Sequence, residues 1–334
     1  MAVVKSNAYG HGLLDFSQAV EKLGVDYLGV DSIIEAIKLR IEGVKTPILV
    51  LGYTLPENFP QAVEHDVSLT LSSLEQVQNL PENLALKIHL KIDTGMHRQG
   101  IEVAALKSIK SVKSLNLEGV YTHLANAKNP SFSNDTRKQL KEFDMAVKII
   151  NEAGYRPIAH AAATGGTLIF SEAHYGLVRV GIGLYGLWPS IETEAAYREK
   201  IILRPVLSWR TMVSEVKTLR EGGRVGYDFT ENVPSGTKLA VCPIGYWHGY
   251  PRALSSVGRT LVRGQSARVI GRVSMDMIVI DVTKIKNVKV GDVVTLIGRD
   301  GKEWVGADEL AGLAGTINYE LVTRLNPLIK RVPF

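Results

Sequence analysis

Lys5 closes a short apolar run, Ala2-Val3-Val4-Lys5, and opens onto Ser6-Asn7-Ala8-Tyr9-Gly10-His11-Gly12. A lysine with apolar residues behind it can be desolvated, lose its proton near neutrality and condense with a carbonyl as a Schiff base. Taken alone, the same residues read more simply as a solvated lysine at a strand end. Residues 84–93 alternate strictly. Leu84, Leu86, Ile88, Leu90 and Ile92 share one face, and Lys87, His89, Lys91 and Asp93 share the other. Four ionisable groups on a covered face are prohibitive unless paired, so either this strand lies at an edge or its polar face lines a site. Arg98 follows just past the end of the run, where a loop could aim it inward. His123 and His160 end two further apolar runs, and Gly181, Gly183 and Gly186 punctuate a third. Small residues and backbone N–H groups at strand ends suit a phosphate, although loop glycines are usually turn formers. Tyr227 and Tyr246 each stand beside a glycine. A buried tyrosine usually packs a core, but it becomes a general base where cations lower its pKa. No His-x-x-x-His with a carboxylate, no cysteine pair, no Gly-x-x-x-x-Gly-Lys and no Gly-x-Ser-x-Gly is present, so no metal site is expected.

These groups need elements to position them. Up to about residue 200, strand-like runs at 2–5, 27–30, 48–51, 68–71, 84–93, 119–123, 158–161 and 178–181 alternate with amphipathic stretches such as 32–41, 106–112 and 136–153. Eight such repeats predict an α/β fold, a (β/α)8 TIM-like barrel over residues 1–200, with its active site at the C-terminal ends of the strands. A doubly wound open sheet is the structural alternative, because pattern alone does not show closure. Beyond residue 200 the long helical patterns give way to short β-rich runs at 207–216, 238–244, 268–273, 277–282 and 292–297. Turn signals occur at Gly222-Gly223, Arg263-Gly264 and Asp300-Gly301. Residues 201–334 are therefore expected to form a mainly-β domain.

A net charge of +5 over 334 residues, without any long like-charged block, argues against a nucleic-acid groove and suits an anionic small molecule. The single cysteine, Cys242, reads as a core strand residue, and one thiol cannot close an internal disulfide, which fits a reducing cytoplasm. No apolar run reaches the ~18 residues of a membrane helix.

Taken in order, the blocks at residues 2–12, 91–98, 178–182, 244–246, 271–276 and 316–320 resemble the alanine racemase family of fold-type III pyridoxal-phosphate enzymes. The block around Lys5 is the most specific of them. The resemblance implies bound pyridoxal 5′-phosphate, a homodimer with shared active sites and the interconversion of L- and D-alanine for peptidoglycan. Serine or broad-specificity racemisation is the alternative within the family, and non-catalytic cofactor binding is the alternative outside it. By the same resemblance, Lys5 carries the cofactor and serves one face of the substrate Cα, and Tyr227 of the partner subunit serves the other. Arg179 faces the pyridine nitrogen, and His123 links Arg179 towards Tyr227. Arg98 holds the cofactor's phenolic oxygen and the substrate carboxylate, and Lys91 is a candidate carbamylated lysine that positions Arg98. Tyr9, Thr164, the N–H groups of Gly181 and Ile182, and Tyr319 hold the phosphate, while Tyr246 and Met275 border the substrate. The sequence departs from the family pattern at Lys128, at Ala163-Thr164 and at Trp247-His248. Family members are also expected to carry about 35 further residues, roughly one strand–helix unit, before the lysine.

Overall fold

The computed structural model describes residues 1–81, 84–111 and 115–333. By internal contact the chain divides into two compact units. One comprises Met1–Ala8 and Gly12–Arg204, and the other comprises Tyr9–His11 and the residues from Pro205 onward.

The first unit is built on parallel strands: β1 (Ala2–Val3), β2 (Leu28–Val30), β3 (Ile48–Val50), β4 (Val67–Leu71) and β5 (Ile88–Asp93). A two-residue strand β6 (Ile101–Glu102) pairs only with β5, and β7 (Leu117–Tyr121) and β8 (Ile158–His160) continue the sheet. All seven main-path strands pair in parallel with their neighbours. An eighth stave, residues 178–180, closes the circle. Ala2 bridges Val180 in parallel, Val3 N–H donates to Val180 O at 2.8 Å, and Arg179 N–H donates to Ala162 O at 2.9 Å just beyond β8. The sheet is therefore a closed (β/α)8 barrel and not an open doubly wound sheet. Leu28, Leu49, Leu69, Ile88 and Leu90 are fully buried, as strands covered on both faces require. The expected strand at 84–93 is shorter than its alternation suggests and begins at Ile88. The amphipathic stretch expected at 106–112 lies in a 3-10 helix, Val103–Ser111, and Val112 falls outside the described residues.

Inside the barrel β5 is a central strand, and each member of its polar face has a partner. Lys87 pairs with Asp66 at 2.6 Å, His89 contacts His160 at 3.0 Å, and Lys91 donates to Gln99 Oε1 at 3.0 Å. Gly119 on β7 leaves room for the His89 ring, because a Cβ there would lie 2.1 Å from His89 Nδ1.

The second unit is antiparallel. Strands β9 (Trp209–Met212), β10 (Glu215–Leu219), β11 (Gly223–Val225), β12 (Glu231–Val233), β13 (Thr237–Cys242), β14 (Arg259–Val262), β15 (Gln265–Ile270), β16 (Ile278–Asp281), β17 (Val293–Asp300) and β18 (Glu303–Val305) follow in order. The main sheet runs β10-β13-β16-β15-β14-β17-β18 with β9 on β17, and β11 and β12 form a separate hairpin. The β14–β15 hairpin turns on Arg263 and Gly264, both at positive φ (53° and 71°), the two-residue turn whose twist matches its strands. Val225, Val233, Leu239 and Ile270 form a core cluster of this unit. Cys242 is buried on β13, where desolvation pushes its thiol up to about 12. Among the described residues no helix is long and apolar enough to cross a membrane, and no group of three potential ligands could hold a metal.

Candidate active site

Lys5 stands at the end of β1, where the backbone turns the wrong way for L-residues. Ser6, Asn7, Ala8 and Tyr9 have φ of 56°, 56°, 52° and 51°, and Ala8 N–H closes the turn on Val4 O at 2.8 Å. A left-handed turn costs roughly 1–2 kcal/mol per residue. It is held by Glu35, whose carboxylate accepts from the N–H groups of Asn7 and Asp31, both at 3.0 Å. Asn7 Oδ1 in turn accepts from Leu13 N–H at 2.9 Å, capping the helix Leu13–Lys22. Asp31, fixed by Glu35, pairs with Lys5 Nζ at 3.0 Å. The desolvation expected of Lys5 is not found: its side chain is 36% exposed and ion-paired, because the strand end opens at the barrel mouth.

Arg179 is buried inside the barrel, 3% exposed, and has no carboxylate partner among the described residues. Its Nη1 donates to His160 Nδ1 (2.9 Å) and His160 O (3.0 Å), and its Nη2 donates to Thr122 O (2.7 Å) and Ala161 O (3.0 Å). Burial brings its pKa down to about 10, so it stays cationic at neutrality. A guanidinium has five N–H groups, and these acceptors take four, which leaves Nε–H. The histidine bonded to Arg179 is thus His160 and not His123. His123 lies two residues past Tyr121, the last β7 residue paired with β8, is half-buried, and makes no hydrogen bond to Arg179 among the described residues. Desolvation, then Arg179, Arg98, Lys91 and Lys5, lower its pKa to about 3, so it is neutral. Tyr121 stacks on His160 at 4.8 Å, under the guanidinium of Arg179 at 5.0 Å, and bonds Thr70 Oγ1 at 2.9 Å.

Lys91 is buried over the ring of Tyr121, with Nζ 5.7 Å from the ring centroid. Burial, then the charges of Arg98, Arg179 and Lys5, bring its amine down to about 8. Arg98 is exposed on the loop that leaves β5. Asp93 shapes that loop by accepting from three backbone N–H groups, those of Gly95, Met96 and His97, at 2.9–3.1 Å. Thr164 is buried, and its Oγ1 accepts from Gly181 N–H at 3.1 Å and Gly183 N–H at 3.2 Å. With both lone pairs engaged, the Thr164 hydroxyl hydrogen is left to donate. An amine, a donor hydroxyl and a buried donor-only guanidinium, ringed by Lys91 and Arg98, make an anion site at the strand ends. This donor set fits a phosphorylated ring with a basic nitrogen.

The second unit gathers the remaining candidates. Tyr9 and Tyr319 face each other at 6.2 Å between ring centroids, and burial raises the Tyr319 hydroxyl. Tyr227 follows Gly226 in a turn where Asp228 and Phe229 also have positive φ, and it is 70% exposed. Tyr246 and Met275 are brought together by Gly245, where a Cβ would lie 2.2 Å from Ser274 O, and both side chains are exposed. Exposure of Tyr227, Phe229, Tyr246, Trp247, Met275 and Met277 on one unit is unusual for a free surface.

Residue types alone did not assign His160, His89, Tyr121 or Glu35 to the site. The alternation of residues 84–93 signalled His89. The position of His160 at the end of an apolar run marked it as a candidate, and no local signal marked Tyr121 or Glu35.

The family model for the alanine racemase N-terminal domain matches residues 1–189, and that for the C-terminal domain matches residues 206–333. The chain is 40% identical to the alanine racemase of Methanococcus maripaludis, over 99% of this chain and 91% of that protein. It is also 40% identical to that of Symbiobacterium thermophilum, over 100% and 89%. Among solved structures it is similar to alanine racemase from Bacillus anthracis with bound L-Ala-P, with a TM-score of 0.89 and 36% identity over 97% of this chain and 85% of that one. Alanine racemase from E. faecalis gives a TM-score of 0.89 and 31% identity over 100% and 90%.

Proposed function

The chain belongs to the alanine racemase family, and we propose that it interconverts L- and D-alanine by moving the Cα proton between two bases on opposite faces, Lys5 and the partner subunit's Tyr227. It is an isomerase of the pyridoxal 5′-phosphate class, and that cofactor, when bound, acidifies the Cα proton of an attached amino acid. Lys5 holds the cofactor and handles the proton of the D-enantiomer, while Tyr227 handles that of the L-enantiomer. The Thr164 hydroxyl, the N–H group of Ile182, Tyr9 and Tyr319 hold the phosphate, while Gly181, whose N–H donates to Thr164 Oγ1, orients that hydroxyl. Arg98 takes the substrate carboxylate and the cofactor's phenolic oxygen. His123 keeps a neutral imidazole among the cations on the way to Tyr227. Tyr246 and Met275 of the partner border a pocket sized for a methyl group, and the bulk of Tyr319 favours alanine over serine.

The observation that carries this reading is Arg179. It is buried, cationic and donor-only, with Nε–H left over. Such a group hydrogen-bonds a ring nitrogen but does not hand it a full proton. That favours return of the proton to Cα over its transfer elsewhere. The exposed apolar cluster around Tyr227 and Met275 supports a homodimer with shared sites. Cytoplasmic supply of D-alanine to the cell wall is the role this activity would serve.

Circular dichroism of L-alanine and, separately, L-serine with purified protein and added cofactor tests the reading. Loss of alanine's optical activity, faster than serine's, is expected. Faster loss with serine overturns the substrate, and cofactor absorbance without any racemisation overturns catalysis in favour of a cofactor carrier.

Lys91 is proposed to be carbamylated, because an amine with a pKa of about 8 is about one-tenth neutral at pH 7 and reacts with carbon dioxide in that form. Carbamylation releases a proton and converts the side chain from a cation to an anion, which draws in Arg98. With 13C-bicarbonate, a carbamate carbon resonance that vanishes in Lys91→Ala is the expected result; its absence from the parent at pH 8 rejects the modification.

A further inference from the structure

A chain of side chains runs from Arg179 down the barrel interior, and nothing assigned above uses its lower half. His160 Nε2 and His89 Nδ1 lie 3.0 Å apart, and both rings are fully buried. His89 Nε2 has no hydrogen-bond partner among the described residues, and the group facing it is Oε2 of Glu118, 3.9 Å away. Glu118 Oε2 accepts from Ser68 Oγ at 2.6 Å, and its other oxygen lies 3.9 Å from Lys87 Nζ.

The ends of this chain decide every proton in it. Arg179 has only donors, so His160 Nδ1 must be an acceptor. A neutral His160 then carries its proton on Nε2 and donates to His89 Nδ1. His89, also neutral, carries its proton on Nε2, directed at the Glu118 carboxylate. The reverse polarity would set a His160 N–H against an Arg179 N–H, two donors at 2.9 Å. We propose that His89 and Glu118 are positioning residues for the racemase site, holding His160 in the Nε2–H tautomer so that Arg179 is fixed at the cofactor ring from the floor of the barrel. The catalytic link rests on the racemase reading, whereas the tautomers do not.

Both imidazoles are held neutral. Burial, then the charge of Arg179, lowers His89 to about 3, and the same two causes, in the same order, lower His160 well below its ordinary value. Among the described residues His89 Nδ1 is the hydrogen-bond partner of His160 Nε2. Tyr121 stacks on its face at 4.8 Å and Tyr27 meets the edge of His89 at 6.0 Å.

The test is long-range 1H–15N spectroscopy of the cofactor-loaded protein with 15N-labelled histidine, beside racemisation kinetics. In the parent, His89 and His160 are expected as Nε2–H tautomers that do not titrate between pH 5.5 and 8.5. His89→Gln restores an acceptor to His160 and is expected to leave its ring shifts and the kcat near parental. His89→Leu removes the acceptor, and is expected to move the His160 shifts and lower kcat about tenfold with KM little changed. That loss is smaller than the ~100-fold cost of a one-ångström displacement of reacting groups. Glu118→Leu is expected to move the His89 Nε2 shift first. A His160 Nδ1–H tautomer in the parent, or unchanged His160 shifts in a folded His89→Leu variant, overturns the proposal. The parental tautomer decides the matter even if the variants do not fold, and an inactive protein with the expected tautomers counts against the racemase reading alone.

Discussion

Tyr227→Phe is expected to lower alanine racemisation in both directions by about 10²–10⁴-fold, the range a positioned acid–base group contributes. Its effect on proton exchange is expected to be one-sided. In deuterated solvent the variant still exchanges the α-proton of D-alanine, because Lys5 serves that face, and it fails to exchange that of L-alanine. A one-base mechanism gives equal losses for the two enantiomers. Nuclear magnetic resonance of each enantiomer during incubation separates the outcomes, and equal exchange rates would sink the two-base reading. Tyr227 is 70% exposed within its own unit, and its neighbours Gly226 and Asp228 take unusual backbone geometry. Removal of its hydroxyl therefore costs little folding stability. An unchanged urea midpoint in the variant would attribute the loss to chemistry alone.

A second large effect comes from acid. His89 and His160 are buried neutral, with folded pKa values far below the ordinary histidine value. The sign follows directly. Below the ordinary value of about 6.5, and down to about 3 at His89, the unfolded chain binds protons at these histidines that the folded chain refuses, so stability falls as pH falls through that window. Each histidine is expected to remove roughly 2 kcal/mol between pH 7 and pH 5. Urea midpoints at the two pH values measure the loss. His123 is held neutral in the same way, so His89→Gln removes one of three such groups and is expected to flatten the dependence by about a third. A midpoint independent of pH from 7 to 5 would falsify the buried-neutral assignment. Most carboxylates have not yet taken up protons in that range, which keeps the histidine contribution legible.

The barrel was legible because its strands are short, apolar and separated by helical patterns. All eight expected runs, 2–5 through 178–181, correspond to staves of the barrel. The strict alternation over 84–93 correctly implied that polar groups line an interior, and Lys91 and His89 do so with partners, whereas Lys87 pairs with Asp66 at the surface. The same alternation overstated the strand, because residues 84–86 repeat the pattern before the chain joins the sheet, where Lys87 O accepts from Leu69 N–H at 3.0 Å. Strands β11, β12, β14 and β18 were not anticipated. They are three or four residues long, too short for period-two patterning to register. The left-handed turn after Lys5 left only Gly10 and Gly12 as local traces. Its stabilising group, Glu35, comes from a different helix. His160 and Arg179 lie 19 residues apart and meet because adjacent staves place them side by side, and no local pattern encodes that distance.

Gly119 and His89 carry a consequence for descent. The imidazole of His89 occupies the volume that any side chain at position 119 would need, with a Cβ falling 2.1 Å from Nδ1 and 2.3 Å from Cε1. Gly119 cannot drift while His89 stays. A lineage that keeps the histidine is bound to glycine on the neighbouring strand, and one that accepts alanine there must first have exchanged the histidine for something smaller. Across homologues the two positions are therefore expected to change as a pair, a trace of the barrel's interior written in substitution histories, where it can be read without a single coordinate.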